Sequence, residues 1–430
     1  MISKSFFGYT RLAFRYELLS TSLPQPVDVS VPKTATLLLP GELGPAKSET
    51  VKVGARVKTG QRLTWGDASE SSVISSITGT IGSVDSMIGN YGQKFIAIQV
   101  NQEGGDEFDD QFAAIAGQLD LQSLSDHLSS VPGGPDLKKL LNDKKPIHTI
   151  VVYGGDTDLL TETSQYMLKK EIEAINKGLK VLKETAGVEK SIVVVPSESF
   201  QNIDGHFAGE VKAVPSAYPG AQPLMILYHL TGKMLEQGQT FEDLGMLFIR
   251  AEAVASIGKA VTTGRVPVEK ILTVVDKNGN KNIVSARLGT PVGNILKKLK
   301  ITVNEGDRLI FGGPMTGTAI YSEQQPVGTD TDAIMVQDHA QIVLSSDYPC
   351  INCGECVRTC PVNIQVHMLE RFLEAGQYQD GADLYDLYSC VECGLCTLVC
   401  PSRIPILQYI KLAKFELARM TPTPVEEENE

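Results

Sequence analysis

The stretch that decides how this chain is read is Cys350-Ile351-Asn352-Cys353-Gly354-Glu355-Cys356-Val357-Arg358-Thr359-Cys360-Pro361. A second run, from Cys390 through Cys393, Cys396 and Cys400 to Pro401, begins 40 residues later (390 − 350 = 40). Both read C-x2-C-x2-C-x3-C-P, and together they use all eight cysteines of the 430-residue chain. Four thiolates hold one [4Fe–4S] cube, one per iron, so this spacing reads as the ligand set of two [4Fe–4S] clusters. Zinc ribbons use paired C-x2-C knuckles rather than two quartets that each end in Cys-Pro. Disulfides fit poorly, because every cysteine is crowded into one short segment. Residues 1–19 scatter Lys and Arg without a continuous apolar core, which argues against a secretory signal.

Three closely spaced cysteines on a tight loop reach three irons of one cube, while the fourth, just before proline, points away. In two-cluster ferredoxins that fourth cysteine ligates the other cluster. The expected sets are therefore Cys350, Cys353, Cys356 and Cys400 on one cluster, and Cys390, Cys393, Cys396 and Cys360 on the other. Gly354 and Gly394 lie where the backbone must turn sharply beside inorganic sulfide. Pro361 and Pro401 can each open a following helix, where a missing N–H costs little. Between the runs, Val366, Leu369, Phe372 and Leu373 recur at helical spacing, and Leu384 and Leu387 continue the pattern after Gly381. Two short linking helices are expected, within a helical two-cluster ferredoxin-type module over residues 340–415. Such a module relays electrons, since it carries no acid, base or substrate group of its own.

By length alone, a chain of 430 residues is expected to hold about three domains of ordinary size. Apolar content of 42% and charged content of 21% describe a globular protein, and a net charge of −12 argues against nucleic acid as a partner. No apolar run approaches the ~18 residues of a membrane span. Any membrane link is then expected through partner subunits, with the chain itself in the cytoplasm, peripheral on the inner face of the cell membrane.

Residues 34–100 read as short strands at 36–39, 51–53, 62–64, 73–77, 80–84 and 95–100, punctuated by glycines. The phrases at 53–61 and 76–81 resemble the barrel-sandwich hybrid fold of biotinyl and lipoyl carriers. A carrier needs a lysine on its exposed hairpin, and Ser75-Ser76-Ile77-Thr78-Gly79 offers none. A scaffolding role is expected. Residues 120–265 read as α/β: strands at 147–153, 191–195 and 244–249, and helices at 162–186, 224–235 and 251–261. Ligands of such β-α-β units gather at the carboxyl ends of the strands. Residues 268–320 form a smaller β-rich unit that ends in Gly312-Gly313-Pro314-Met315-Thr316-Gly317. That phrase lacks the Gly-Lys-Ser/Thr ending of a phosphate loop, so it reads as a tight turn.

In this order the phrases resemble RnfC, the cluster-bearing peripheral subunit of the membrane Rnf electron-transport complex. The residues that carry the resemblance are 51–61, 75–84, Tyr218-Pro219-Gly220-Ala221, Leu288-Gly289-Thr290-Pro291-Val292, Gly312-Gly313-Pro314-Met315 and both cysteine runs. The resemblance implies four parts: an N-terminal barrel-sandwich hybrid, a central α/β domain like the flavin subunit of NADH dehydrogenase, an SLBB-type β-grasp unit and the two-cluster module. It also implies NADH, FMN and iron–sulfur centres as the redox groups, and other redox proteins or membrane subunits as partners.

The departures from the family fall on the flavin site. The family's Gly-Gly-Ala-Gly-Phe-Pro-Thr loop, which cradles the FMN phosphate on backbone N–H groups, corresponds here to Gly133-Gly134-Pro135-Asp136-Leu137-Lys138. Proline removes a donor, and Asp136 puts negative charge where a phosphate would sit. The acidic flavin-site phrase survives as Gly154-Gly155-Asp156-Thr157-Asp158, which makes Gly154, Gly155, Asp156 and Asp158 the candidate FMN-binding residues. The competing reading of Asp156 and Asp158 is a helix N-cap with a first-turn acid. Two functions follow. One is an iron–sulfur electron-transfer subunit of an RnfC-like assembly that binds FMN weakly or not at all. The other is a self-contained FMN- and NADH-dependent reductase serving a soluble acceptor.

Overall fold

The computed structural model describes residues 13–19, 23–44, 51–65, 72–89, 92–200, 206–346 and 348–420. The first twelve residues, part of the stretch that argues against a signal peptide, lie outside them. Strand signals in residues 34–102 become an antiparallel sheet of Thr34–Pro40, Lys94–Gln102, Gly79–Ile88 and Arg56–Val57, with Arg62–Thr64 paired to Ser72–Ile74. Alternation drives this sheet: Ala35, Leu37 and Leu39 are buried while their neighbours are not. The strand expected at 51–53 instead follows the turn at Gly54, whose φ is +86°, and begins at Arg56.

Next comes a parallel sheet ordered Glu210–Val214, Lys190–Pro196, Thr149–Tyr153, Met246–Arg250. Its central strands are continuous apolar runs because both faces are covered. The helical stretch expected over 162–186 breaks at Glu171 into Thr163–Lys170 and Ile172–Ala186. The second of these crosses Ala251–Thr263 so closely that a Cβ on Gly178 would lie 2.0 Å from the Val254 carbonyl oxygen. Only glycine permits that approach.

A six-stranded mixed sheet follows, built on Glu269–Val275, Lys281–Arg287, Arg308–Phe311, Thr318–Ile320 and Ala333–Gln337. Its edge strand, Val27–Asp28, comes from far upstream and pairs in parallel with Val284 and Ser285, which sequence periodicity did not suggest. Buried Lys270 ties this sheet to the parallel one: it pairs with Glu252 at the start of helix Ala251–Thr263 and with Asp332 at 3.0 Å, while Asp332 also takes Arg250 at 2.7 Å. The chain ends in short helices, Glu355–Thr359, Val366–Glu374, Tyr378–Leu384, Leu395–Val399 and Ile406–Met420. The two helices expected between the cysteine runs are both present. No helix among the described residues is long and apolar enough to cross a membrane.

Candidate metal centres

Each cysteine run builds the same local structure. Two residues after its first cysteine the backbone takes a left-handed turn, at Asn352 (φ +57°) and Glu392 (φ +54°). Gly354 and Gly394 (φ +71° and +75°) then cap the five-residue helices Glu355–Thr359 and Leu395–Val399, which carry the third cysteine. The fourth cysteine leaves its helix in extended conformation, ψ 122° at Cys360 and 114° at Cys400. That change of direction turns each fourth side chain away from the loop of its own run.

The result is two cavities. One is lined by Cys350, Cys353, Cys356 and Cys400. The other is lined by Cys390, Cys393, Cys396 and Cys360. The structure thus brings together the same quartets that the sequence pairs across the two runs. Soft sulfur donors in fours suit an iron–sulfur cube. Burial pushes the Cys356 and Cys393 thiols up to about 12 and Cys390 to about 11. Grouped buried thiols of this kind ionise when a metal cation supplies the compensating charge. Both cavities therefore fit a [4Fe–4S] cluster in donor type and number.

Their surroundings differ. The second cavity is walled by Val362, Ile364, Val366, Leu369, Leu407 and Ile410. It is also pressed against the rest of the molecule. The buried Tyr218 hydroxyl donates to the Cys393 carbonyl at 2.6 Å, and a Cβ on Gly394 would meet the Met315 carbonyl oxygen at 2.5 Å. Lys411 donates to the Thr316 carbonyl at 3.0 Å, and Lys414 to the Cys390 carbonyl at 2.9 Å. The first cavity has one exposed cysteine, Cys353, and includes His367 and the buried Glu370 in its wall. Burial and then the nearby Glu374 carboxylate push the Glu370 carboxyl up to about 7. Sequence reading assigned no role to Tyr218, His367 or Glu370. The Tyr218-Pro219-Gly220-Ala221 phrase was the one available signal, and it did not say what it touches.

The four candidate flavin residues are engaged within the protein. Asp156 is buried and accepts from the Ser164 N–H at 2.7 Å and Gln165 Nε2 at 3.0 Å, in the first turn of helix Thr163–Lys170. It satisfies a helix N-terminus from a distance, since the N-cap residue is Glu162. Burial raises its carboxyl to about 7. Asp158 accepts from the N–H groups of Leu159, Met315 and Thr316 and from the Thr316 hydroxyl, at 2.6 to 3.1 Å. Burial nevertheless holds its carboxyl above the usual range. Gly154 and Gly155 lie so close to Leu168 and Ala221 that a Cβ would come within 2.7 and 2.6 Å. In the loop read as the flavin-phosphate cradle, the Gly133 N–H donates to Thr329 and the Gly134 N–H to Val131, at 2.8 and 3.0 Å. Pro135 has no N–H, and Asp136 lies beside Lys139 at 3.7 Å.

Residues 349–404 match the model of the 4Fe-4S dicluster domain. Along most of its length the chain also aligns with proteins named as the C component of the ion-translocating oxidoreductase complex. That of Pasteurella multocida is 25% identical over 404 residues, 87% of this chain and 47% of the relative. That of Edwardsiella ictaluri is 26% identical over 90% of this chain and 51% of its own. That of Rhodobacter capsulatus is 29% identical over 66% of this chain and 56% of its own. These proteins are homologues of this chain. The chain spans about half the length of the curated relatives it matches. A crystal structure of an NAD+-reducing [NiFe]-hydrogenase in the H2-reduced state overlays 74% of this chain and 66% of its own, at 14% identity and a TM-score of 0.45.

Proposed function

We propose that this chain is the iron–sulfur electron-transfer subunit of an RnfC-like, membrane-associated electron transport complex, acting on its cytoplasmic side. The observation that carries the reading is the pair of four-cysteine cavities in one module. We assign Cys350, Cys353, Cys356 and Cys400 as ligands of one [4Fe–4S] cluster, and Cys390, Cys393, Cys396 and Cys360 as ligands of the other. Bound there, the clusters supply one-electron relay. The chain's own part is to hold the sulfurs in two fixed quartets, to keep water from the second with an aliphatic wall, and to brace that quartet through Tyr218 and Lys414. The partners proposed are membrane subunits and other redox proteins.

The division into a barrel-sandwich hybrid at 34–100, a flavin-subunit-like α/β core at 120–265, a β-grasp unit at 268–320 and the ferredoxin-type module at 340–415 belongs to the same proposal. The sheet order supports it. The central α/β unit then serves as a scaffold that presents the cluster module. Asp156 and Asp158 use their oxygens on internal N–H groups, and the loop at Gly133 and Gly134 uses its donors on Thr329 and Val131. A phosphate would find few N–H groups left to receive it, which favours the electron-transfer subunit over the self-contained flavin reductase.

Anaerobic iron and sulfide analysis of the loaded protein tests this. Eight of each per chain with two EPR signals after dithionite reduction is the expected result; four of each, or stoichiometric zinc, rejects it. Stoichiometric FMN after gel filtration, with rapid cluster bleaching by NADH, turns the assignment to the reductase.

A further inference from the structure

We propose that Glu370 is a positioning residue that sets the reduction potential of the first cluster, by donating a hydrogen bond to one of its sulfur atoms, with His367 as a second polar contact on the same helix face. This rests on the electron-relay reading and adds which residue tunes one centre of the pair.

The walls of the two cavities differ in what they leave unpaired. Glu370 is 1% exposed, and no donor reaches either of its carboxyl oxygens. His367 Nδ1 is likewise buried with no partner. The two residues stand three positions apart on helix Val366–Glu374, so one face of that helix brings both into the first cavity's wall. Among the described residues, the wall of the second cavity has no buried side-chain oxygen or nitrogen in this state. Buried polar atoms are nearly always hydrogen-bonded, and an exception calls for a missing partner. A cluster held by Cys350, Cys353, Cys356 and Cys400 supplies one, because its sulfur atoms accept hydrogen bonds.

Glu370 makes that bond as the neutral acid. Its ionised form would sit in a buried wall with no cation upon it. The nearby guanidinium groups are engaged elsewhere: Arg358 pairs with Glu355 at 2.6 Å, and Arg371 donates to the Asn352 side chain at 2.9 Å. Glu374, exposed one turn further along the helix, adds negative charge. Four thiolates make a bound cluster anionic too, and like charges side by side disfavour ionisation of the carboxyl. A protonated carboxyl offers one O–H donor. On reduction the cluster gains one electron from the reductant, while the proton stays on Glu370 and no bond to it breaks. The added negative charge strengthens the hydrogen bond, which favours the reduced state and raises the potential.

The test uses the full chain, loaded with clusters anaerobically, and an EPR-monitored redox titration that reads each cluster. At fixed solution potential, Glu370→Leu should lower the reduced-to-oxidised ratio of the first cluster at least about tenfold, a shift of about 59 mV for a one-electron couple. The second cluster should not move. Glu370→Gln keeps a donor in the same place and should restore the ratio to within about twofold of the unmodified chain. Proton ENDOR on the reduced first cluster should show a coupling that exchanges in heavy water, altered in the Gln variant and missing in the Leu variant. A rise of the first potential by about tenfold in Glu370→Gln would mean a bare carboxylate and overturns the proposal. So does a Leu variant without effect, an equal shift of both clusters, or a shift in Glu374→Gln as large as that of Glu370→Leu. Should the Leu variant not load its first cluster, the Gln variant decides: an unchanged potential with an altered exchangeable coupling upholds the proposal, and an unaltered coupling overturns it. Failure of the relay reading is seen separately, as absence of the two dithionite-reduced EPR signals in the unmodified chain.

Discussion

The two cysteine runs share one spacing, one pair of left-handed turns and one short capped helix, yet their cavities have different neighbours. One is walled by aliphatic side chains and held by Tyr218, Met315 and two lysines. The other has an exposed cysteine, and Arg358 and Arg371 beside it are matched by the Glu355, Glu370 and Glu374 carboxyls. Local sequence specifies a ligand set, whereas solvent exposure, and with it reduction potential, is conferred by what packs against that set. Identical motifs can thus hold two electronically distinct sites.

The largest effect that could break this comparison comes from Cys360→Ser. It should remove the cluster of Cys390, Cys393 and Cys396 and halve the bound iron, leaving the signal of the other cluster. Loss instead of the cluster at Cys350, Cys353 and Cys356 would undo the crossed assignment.

The inner side of the comparison also rests on Asp156, which braces the strand-end loop that carries Asp158. Burial raises Asp156 from 3.8 to about 7 in the folded protein. Between those values the native state binds more protons than the unfolded state, so stability should decline as pH rises through that window and level off above it. The full drop is about 4 kcal/mol, from about three pKa units at 1.4 kcal/mol each. Denaturant titrations from pH 4 to pH 8 should show this slope in the unmodified chain and a smaller one in Asp156→Asn.

A matched pair of substitutions sharpens the contrast directly. Gly354 and Gly394 share the same backbone conformation, but a Cβ on Gly394 meets backbone oxygen at 2.5 Å, whereas one on Gly354 meets only the flexible tip of Arg358 at 3.4 Å. Gly354→Ala should cost about 1 kcal/mol of left-handed strain. Gly394→Ala should cost about 3 kcal/mol, because the clash with Met315 adds to the strain. Equal losses in thermal unfolding would mean that the second run is not pressed against the β-rich unit.

The smallest expected effect is that of Tyr218→Phe. It leaves the ring packed but removes a buried hydrogen bond to the Cys393 carbonyl, at a cost of about 1 kcal/mol. The EPR line shape of the second cluster should change and that of the first should not.

The sequence by itself determined the two cysteine quartets that line the cavities, because three members of each lie a few positions apart and the fourth stands before the proline that ends the other run. It also determined most strands, since alternation and apolar runs report burial locally. The break at Glu171, where the backbone leaves helical geometry, and the late start at Arg56, behind the Gly54 turn, were not legible, because apolar periodicity reports which face is buried and not where an element breaks. Asp156 and Asp158 read as flavin ligands or, more readily, as a helix cap with a first-turn acid. Which partners their oxygens take depends on helix Thr163–Lys170 and on the Met315–Thr316 loop, more than 150 residues beyond Asp158. The same holds for which cysteine quartet faces water: docking of distant surfaces settles it, and no spacing rule encodes that.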